Sequence, residues 1–168
     1  MAAVKPAQVV LLMGVAGCGK TTVGQLLARQ LGWSFADADE FHPPANVAKM
    51  SAGLPLTDGD RAPWLTAIRR HIADCLARGE NAVVTCSALK ESYRKTIVAD
   101  SAGVRLVYLQ GSRDQLWARI SGRKNHFMKP AMLDSQLTAL EEPAQALTVG
   151  IAPPPEDIVT DIRRGLSL

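Results

Sequence analysis

This 168-residue sequence has little of what would mark a protein for a membrane, the secretory route or nucleic acid. Its longest apolar stretch, "VVLLMGVAGCG" behind Lys5, falls short of the ~20 residues that span a bilayer. The stretch mimics a signal-peptide core, but its glycines belong to a motif described below. Only three cysteines are present, Cys18, Cys75 and Cys86, odd in number and without metal-ligand spacing. That excludes a disulfide scaffold or a zinc cluster and implies free thiols in a reducing compartment, so the expected location is cytoplasmic. A formal charge of +3 provides no broad basic surface for nucleic acid or anionic lipid, though it suits a small anionic ligand. There is no internal repeat and no low-complexity linker. With 47% hydrophobic and 21% charged residues, the chain reads as a single globular domain over residues 1–168.

What is present alternates. "VVLLMG" (9–14), "NAVVTCS" (81–87) and "VRLVYLQG" (104–111) read as strands covered on both faces. "WSFADA" (33–38) and "ALTVGI" (146–151) are shorter strand candidates. Helical patterns fall at 20–31, 61–78, 89–100, 113–121 and 131–140, with a last one from Pro154 to about Arg164. Strand–helix alternation predicts an α/β fold, a five-stranded parallel sheet between two helical layers, with ligands beyond the strands' carboxyl ends.

"GVAGCGKTT", Gly14 to Thr22, fits G-x-x-x-x-G-K-[ST] between a hydrophobic strand and an amphipathic helix, the context a P-loop requires. Gly14, Val15, Ala16, Gly17, Cys18 and Gly19 would turn backbone N–H groups onto phosphate oxygens, and the helix N-terminus adds partial positive charge. Lys20 would reach the β- and γ-phosphates; Thr21 would ligate Mg²⁺, and Thr22 completes the loop. A nucleoside triphosphate is expected to bind here.

Which P-loop protein it is follows from further absences. No N-K-x-D is present to read guanine, and the one D-x-x-G, "DSAG" (100–103), lies between a helix and a strand. The strand that ends in Asp in ATPase motors ends here in Cys86–Ser87; Ser87 either holds a metal-bound water or simply closes the strand. A small-molecule kinase needs a carboxylate at the acceptor hydroxyl, cations for acceptor and phosphoryl, and a lid that excludes water. In "DADEFHPPANVAKM" (37–50), Asp37 and Asp39 emerge from the second strand two positions apart. Either one of them serves the metal's water shell while the other takes the acceptor proton, or the pair caps the following helix. Alternation points Glu40 away, and His42 before Pro43–Pro44 either contacts substrate or makes a structural turn bond. "ANVAKM" starts a small helix over the substrate. Arg119, Arg123, Lys124, His126 and Lys129 concentrate positive charge in "RISGRKNHFMKPAML" (119–133), the expected lid.

Taken in order, "MGVAGCGKTT", "DADEFHPPANVAKMSAGLPLTDGDRAPWL", "CSALKESYR" and "HFMKPAMLDSQLTALEEP" resemble the gluconate kinases, relatives of shikimate kinase with a nucleoside-monophosphate-kinase-like P-loop fold. The resemblance implies ATP- and Mg²⁺-dependent phosphorylation of D-gluconate at its 6-hydroxyl by a cytoplasmic homodimer. It makes Asp39 the general base with Asp37 its metal-side neighbour, and Arg61 a substrate-binding arginine that Asp58 and Asp60 fix while capping its helix. It also makes Arg119 an adenine-stacking residue and Arg123 a lid cation. Lys90 and Arg94, four apart on one helical face, would point at one anion. Cys18 stands where serine is common and would expose the loop to thiol reagents. Two alternatives remain at this level: a kinase for a related hydroxy acid such as shikimate, and a catalytically silent nucleotide-binding module.

Overall fold

The computed structural model describes residues 3–99, 101–122 and 129–168. Among the described residues, five strands and seven helices follow one another. They are β1 (Val9–Met13), α1 (Lys20–Leu31), β2 (Ser34–Asp37), α2 (Pro44–Ser51), α3 (Asp58–Ala77) and β3 (Ala82–Thr85). Then come α4 (Glu91–Val98), β4 (Val104–Gln110), α5 (Arg113–Ser121), α6 (Pro130–Ala139), β5 (Leu147–Gly150) and α7 (Pro155–Leu166). A single 3₁₀ turn, Ala38–Phe41, separates β2 from α2.

The strands form one parallel sheet in the order β2-β3-β1-β4-β5. β1 is central and buried throughout, so its alternating side chains supply both cores. Val10 and Leu12 pack with Leu27 of α1, Leu116 and Ile120 of α5, and Ile158 and Ile162 of α7. Val9, Leu11 and Met13 pack on the other face with Trp64, Ile68 and Ile72 of α3 and Ile97 of α4. Each such side chain contributes roughly 1.5–3 kcal/mol on burial. The result is the expected three-layer α/β/α fold. β1 lies between β3 and β4, and the chain builds β2 and β3 on one side of it before crossing to β4 and β5 on the other, which opens a crevice above the β1 carboxyl end.

Local chemistry moved two helix starts from where periodicity put them. α3 begins three residues before Arg61 because Thr57 caps it: Thr57 Oγ1 accepts from Asp60 N at 3.1 Å, and Asp60 Oδ2 accepts from Thr57 N at 2.9 Å. α4 begins at Glu91, with Lys90 as its extended N-cap, because Glu141 reaches across to accept the Glu91 N–H at 2.9 Å. Among the described residues no helix is long and apolar enough to cross a membrane.

Candidate active site

The crevice above β1 is a cleft of about 520 Å³, lined by the phosphate loop, Asp37, Asp39, Thr85, Cys86, Ser87 and Gln136. Its floor is the loop between β1 and α1. Gly17 and Gly19 adopt φ of 84° and 90°, a region L side chains avoid. A Cβ on Gly17 would also lie 2.7 Å from Ile120 Cγ1, so α5 holds the loop at a distance only glycine permits. α1 starts behind Gly19 without a side-chain cap, leaving its first amides to an anion. Lys20 lies folded onto the loop: its Nζ donates to Gly14 O at 2.8 Å and Val15 O at 3.3 Å. Cys18 turns inward and is fully buried in the core, as are Cys75 and Cys86 nearly so. The expected sensitivity to thiol reagents therefore loses its basis; burial also pushes the Cys86 thiol up to about 12.

Asp37 and Asp39 both reach the cleft, by a different route from strand alternation. β2 ends at Asp37, whose Oδ1 accepts the Asp39 N–H at 3.0 Å and so nucleates the 3₁₀ turn that carries Asp39. Its other oxygen, Oδ2, accepts from Thr21 Oγ1 at 3.3 Å. Asp37 thus caps the turn and meets the phosphate loop at once, so capping and function are not alternatives. Burial first, and then the Asp37 charge, hold the Asp39 carboxyl above its usual range; Lys20 and His42 oppose that shift. A raised carboxylate is a stronger base, which suits proton abstraction from a hydroxyl.

The Thr21 hydroxyl and the Asp37 carboxylate are hard oxygen donors of the kind Mg²⁺ takes alongside phosphate oxygens and water. Thr85 adds an observation that pattern reading missed. It sits opposite Asp37 in the β2–β3 register, 1% exposed, with its hydroxyl unpartnered within the protein, and it lines the cleft. A buried hydroxyl left unsatisfied fits a site completed by bound water or ligand oxygen. Thr85 lay inside the hydrophobic strand pattern "AVVTCS", and only its depth in the fold singles it out.

On the acceptor side, His42 stacks on Trp64, ring centroids 4.3 Å apart, and Trp64 Nε1 donates to Ala38 O at 2.7 Å. Asn46 Nδ2 donates to both Asp60 O (2.8 Å) and His42 Nδ1 (3.2 Å). Nδ1 therefore accepts, and the neutral ring carries its proton on Nε2. Burial lowers the His42 pKa, with Asp39 raising it and Arg61 lowering it further, so the ring stands within reach of both charges. Arg61 and Lys90 flank Tyr93: Arg61 Nη1 donates to Tyr93 Oη at 3.3 Å, and the two cations lie 5.7 and 5.5 Å from the ring centroid. Lys49, unassigned from sequence, pairs with Asp60 at 2.8 Å.

Arg94 does not join them. Lys90 is outside α4, so the two do not share a helical face, and Arg94 is 6% exposed. Its Nη1 donates to Ala88 O at 2.8 Å and Leu89 O at 3.1 Å, and Nη2 to Glu141 O at 2.7 Å. The guanidinium is a clamp on backbone, not an arm into the cleft. Met50 is 44% exposed, Trp64 belongs to the core on the α3 side of the sheet, and Trp117 packs against the core on the opposite side.

Arg119, in the last turn of α5, bonds the Ile151 carbonyl through Nη2 and passes close over Gly19. It stands beside the phosphate loop, where the nucleotide would extend. Arg123, Lys124, His126 and Phe127 lie outside the described residues; of the expected lid, only its flanks in α5 and α6 and Lys129, the N-cap of α6, are described. α6 supplies a second residue missed from sequence: Gln136 Oε1 accepts the Ala16 N–H at 2.8 Å and lines the cleft. The helix after the lid is therefore bonded to the phosphate loop.

Comparison with known proteins gives this geometry its relatives. A profile of the shikimate kinase family matches residues 16–148. A gluconokinase of Gluconobacter oxydans strain 621H is 48% identical over 133 residues, 79% of this chain and 75% of that protein. The thermoresistant gluconokinase of Escherichia coli K12 is 38% identical over 153 residues, 89% of this chain and 87% of that protein. The crystal structure of a gluconokinase from Sinorhizobium meliloti 1021 superposes with a TM-score of 0.85 at 42% identity, covering 96% of this chain and 92% of that one. A shikimate kinase from Bacteroides thetaiotaomicron shares the fold at 20% identity and a TM-score of 0.70. With the phosphate loop and the Asp37–Asp39 turn lining one cleft and these relatives matched over most of their length, the chain belongs to the gluconokinases, within the shikimate kinase family of P-loop proteins.

Proposed function

We propose that this protein transfers the γ-phosphoryl group of ATP to the 6-hydroxyl of D-gluconate, giving 6-phosphogluconate and ADP. The observation that carries the reading is Asp39, a carboxylate that shares the cleft with the phosphate loop and is held above its usual range by burial and by Asp37. Asp39 accepts the proton as the acceptor oxygen attacks, and the bond from the γ-phosphorus to the leaving oxygen of ADP breaks in line. Lys20 leaves the carbonyls of Gly14 and Val15 for the phosphates, and the loop amides hold the β-phosphate. Thr21, with Asp37 behind it, would hold Mg²⁺, which screens charge on the transferring group. Arg61 and Lys90 receive the acid's carboxylate, and the His42 Nε2–H is placed to donate to a hydroxyl of the chain. Arg119 would stack on adenine, and Arg123 would close from the lid. Catalysis here is positioning and charge stabilisation without a covalent enzyme intermediate.

The similarity to named gluconokinases supports the choice of acid, and three buried, unpaired cysteines suit a cytoplasmic setting. The resemblance to gluconate kinases supports a homodimer, which sedimentation velocity would check. The test of function is coupled ADP release over a panel of sugar acids, with the product's phosphate located by ³¹P–¹³C NMR. Gluconate-dependent turnover with phosphate on C6 is expected. Preference for shikimate would reassign the acceptor, and no stimulation by any acid would leave a nucleotide-binding module.

A further inference from the structure

Two aspartates open α3, and the fold treats them differently. Asp60 is consumed locally: it closes the capping box with Thr57 and receives Lys49 Nζ at 2.8 Å. Asp58 has no such duty. Its side chain is 72% exposed, and its Oδ1 lies between Arg61 Nη1 and Lys90 Nζ, 3.6 Å from each. The one short bond it makes is from the Tyr93 hydroxyl, at 2.6 Å. Arg61, Lys90 and Tyr93 thus form a three-donor cradle for one carboxylate, and a carboxylate of the protein itself sits in it.

We propose that Asp58 is an internal stand-in for the substrate's carboxylate, displaced when the acid binds. The proposal rests on the function given above, in that it needs a carboxylate-bearing acceptor. Two cations facing one aromatic ring repel each other; Asp58 offsets that repulsion in the empty enzyme and leaves the cradle one net positive charge. An arriving carboxylate can take over the Tyr93 hydroxyl and both cations, restoring the same balance. Asp58, loosely paired and exposed, then turns to solvent, where the N-terminus of α3 still favours its charge. A polyol of equal length brings no charge to exchange and leaves Asp58 in place.

The experiment compares Asp58→Asn, Asp58→Ser and Asp58→Glu with wild type in steady-state assays varying gluconate and ATP separately. Asn and Ser should each lower the KM for gluconate roughly three- to five-fold, the scale of an exposed charge pair. The KM for ATP should hold, and the gain should shrink at high salt. Glu, which keeps the charge, should leave the gluconate KM near wild type. A gluconate KM unchanged or raised in the folded Asn and Ser variants overturns the exchange while the proposed function stands. An equal fall in the KM of both substrates also overturns it, as a general charge effect. A wild-type enzyme that turns over with no sugar acid overturns the proposed function, and this inference with it.

Discussion

Replacing Arg94 by alanine separates a structural clamp from a substrate ligand. The guanidinium donates to the carbonyls of Ala88, Leu89 and Glu141, at 2.8, 3.1 and 2.7 Å. Ala88 adopts φ 45°, strained for a residue with a Cβ, in the turn between Ser87 and Lys90. Hydrogen bonds from a charged donor are worth about 1.5–3 kcal/mol each, but water can reach carbonyls once the side chain is gone, so the three do not simply add. We expect Arg94→Ala to cost about 3–5 kcal/mol of stability, which lowers the Tm of a domain this size by roughly 6–20 °C. Arg94→Lys, which keeps the charge and can meet one or two carbonyls, should recover part of that loss. Thermal and urea unfolding give the stability, and steady-state kinetics below the new Tm give the rest. Release of the Ser87–Lys90 turn should weaken gluconate through Lys90 while leaving the KM for ATP close to wild type. Wild-type unfolding curves with a raised gluconate KM alone would refute the clamp and return Arg94 to the substrate.

At the base, Asp39→Asn should reduce kcat by roughly 10²–10⁴-fold with ATP binding retained, read by steady-state kinetics and nucleotide titration. Because burial and Asp37 raise the folded pKa of Asp39 above 3.8, the base is lost as pH falls through that raised value. The acid limb of kcat/KM for gluconate should therefore lie above the ordinary carboxylate range, and near-normal turnover in the Asn variant would remove Asp39 from this role. At the loop, Gln136→Leu strips the Ala16 N–H of its acceptor and should cost about 0.5–1.5 kcal/mol. Gln136→Glu keeps an acceptor and hence the Tm, but its charge opposes phosphate and should raise the KM for ATP. Equal loss of Tm in both variants would reduce Gln136 to packing.

Much of this protein is local, and local features were legible in order. Hydrophobic runs between breakers placed all five strands, and α1 and α5 fall at the residues that periodicity marks. The phosphate loop declares itself because its glycines, lysine and threonine do their work on their own backbone within nine residues, Gly14 to Thr22. Asp39 was legible by neighbourhood with Asp37, although a 3₁₀ turn rather than strand alternation presents it. The missed features depend on contacts between distant segments. Arg94 looked like a ligand because helical spacing sets which face a side chain leaves from. The carbonyl of Glu141, 47 residues away, decides where the guanidinium goes. Thr85 reads as one more β-branched residue in a buried strand until the sheet order sets it beside Asp37. Gln136 is 120 residues from the amide it holds, and Asp58 is 35 from the hydroxyl that tethers it. Sequence by itself determined which elements form and where phosphate binds, since those follow from periodicity and backbone geometry over a few residues. Only the packed fold decided which charges face the cleft and which are spent holding it open, because desolvation and pairing are settled by neighbours the chain brings from far away.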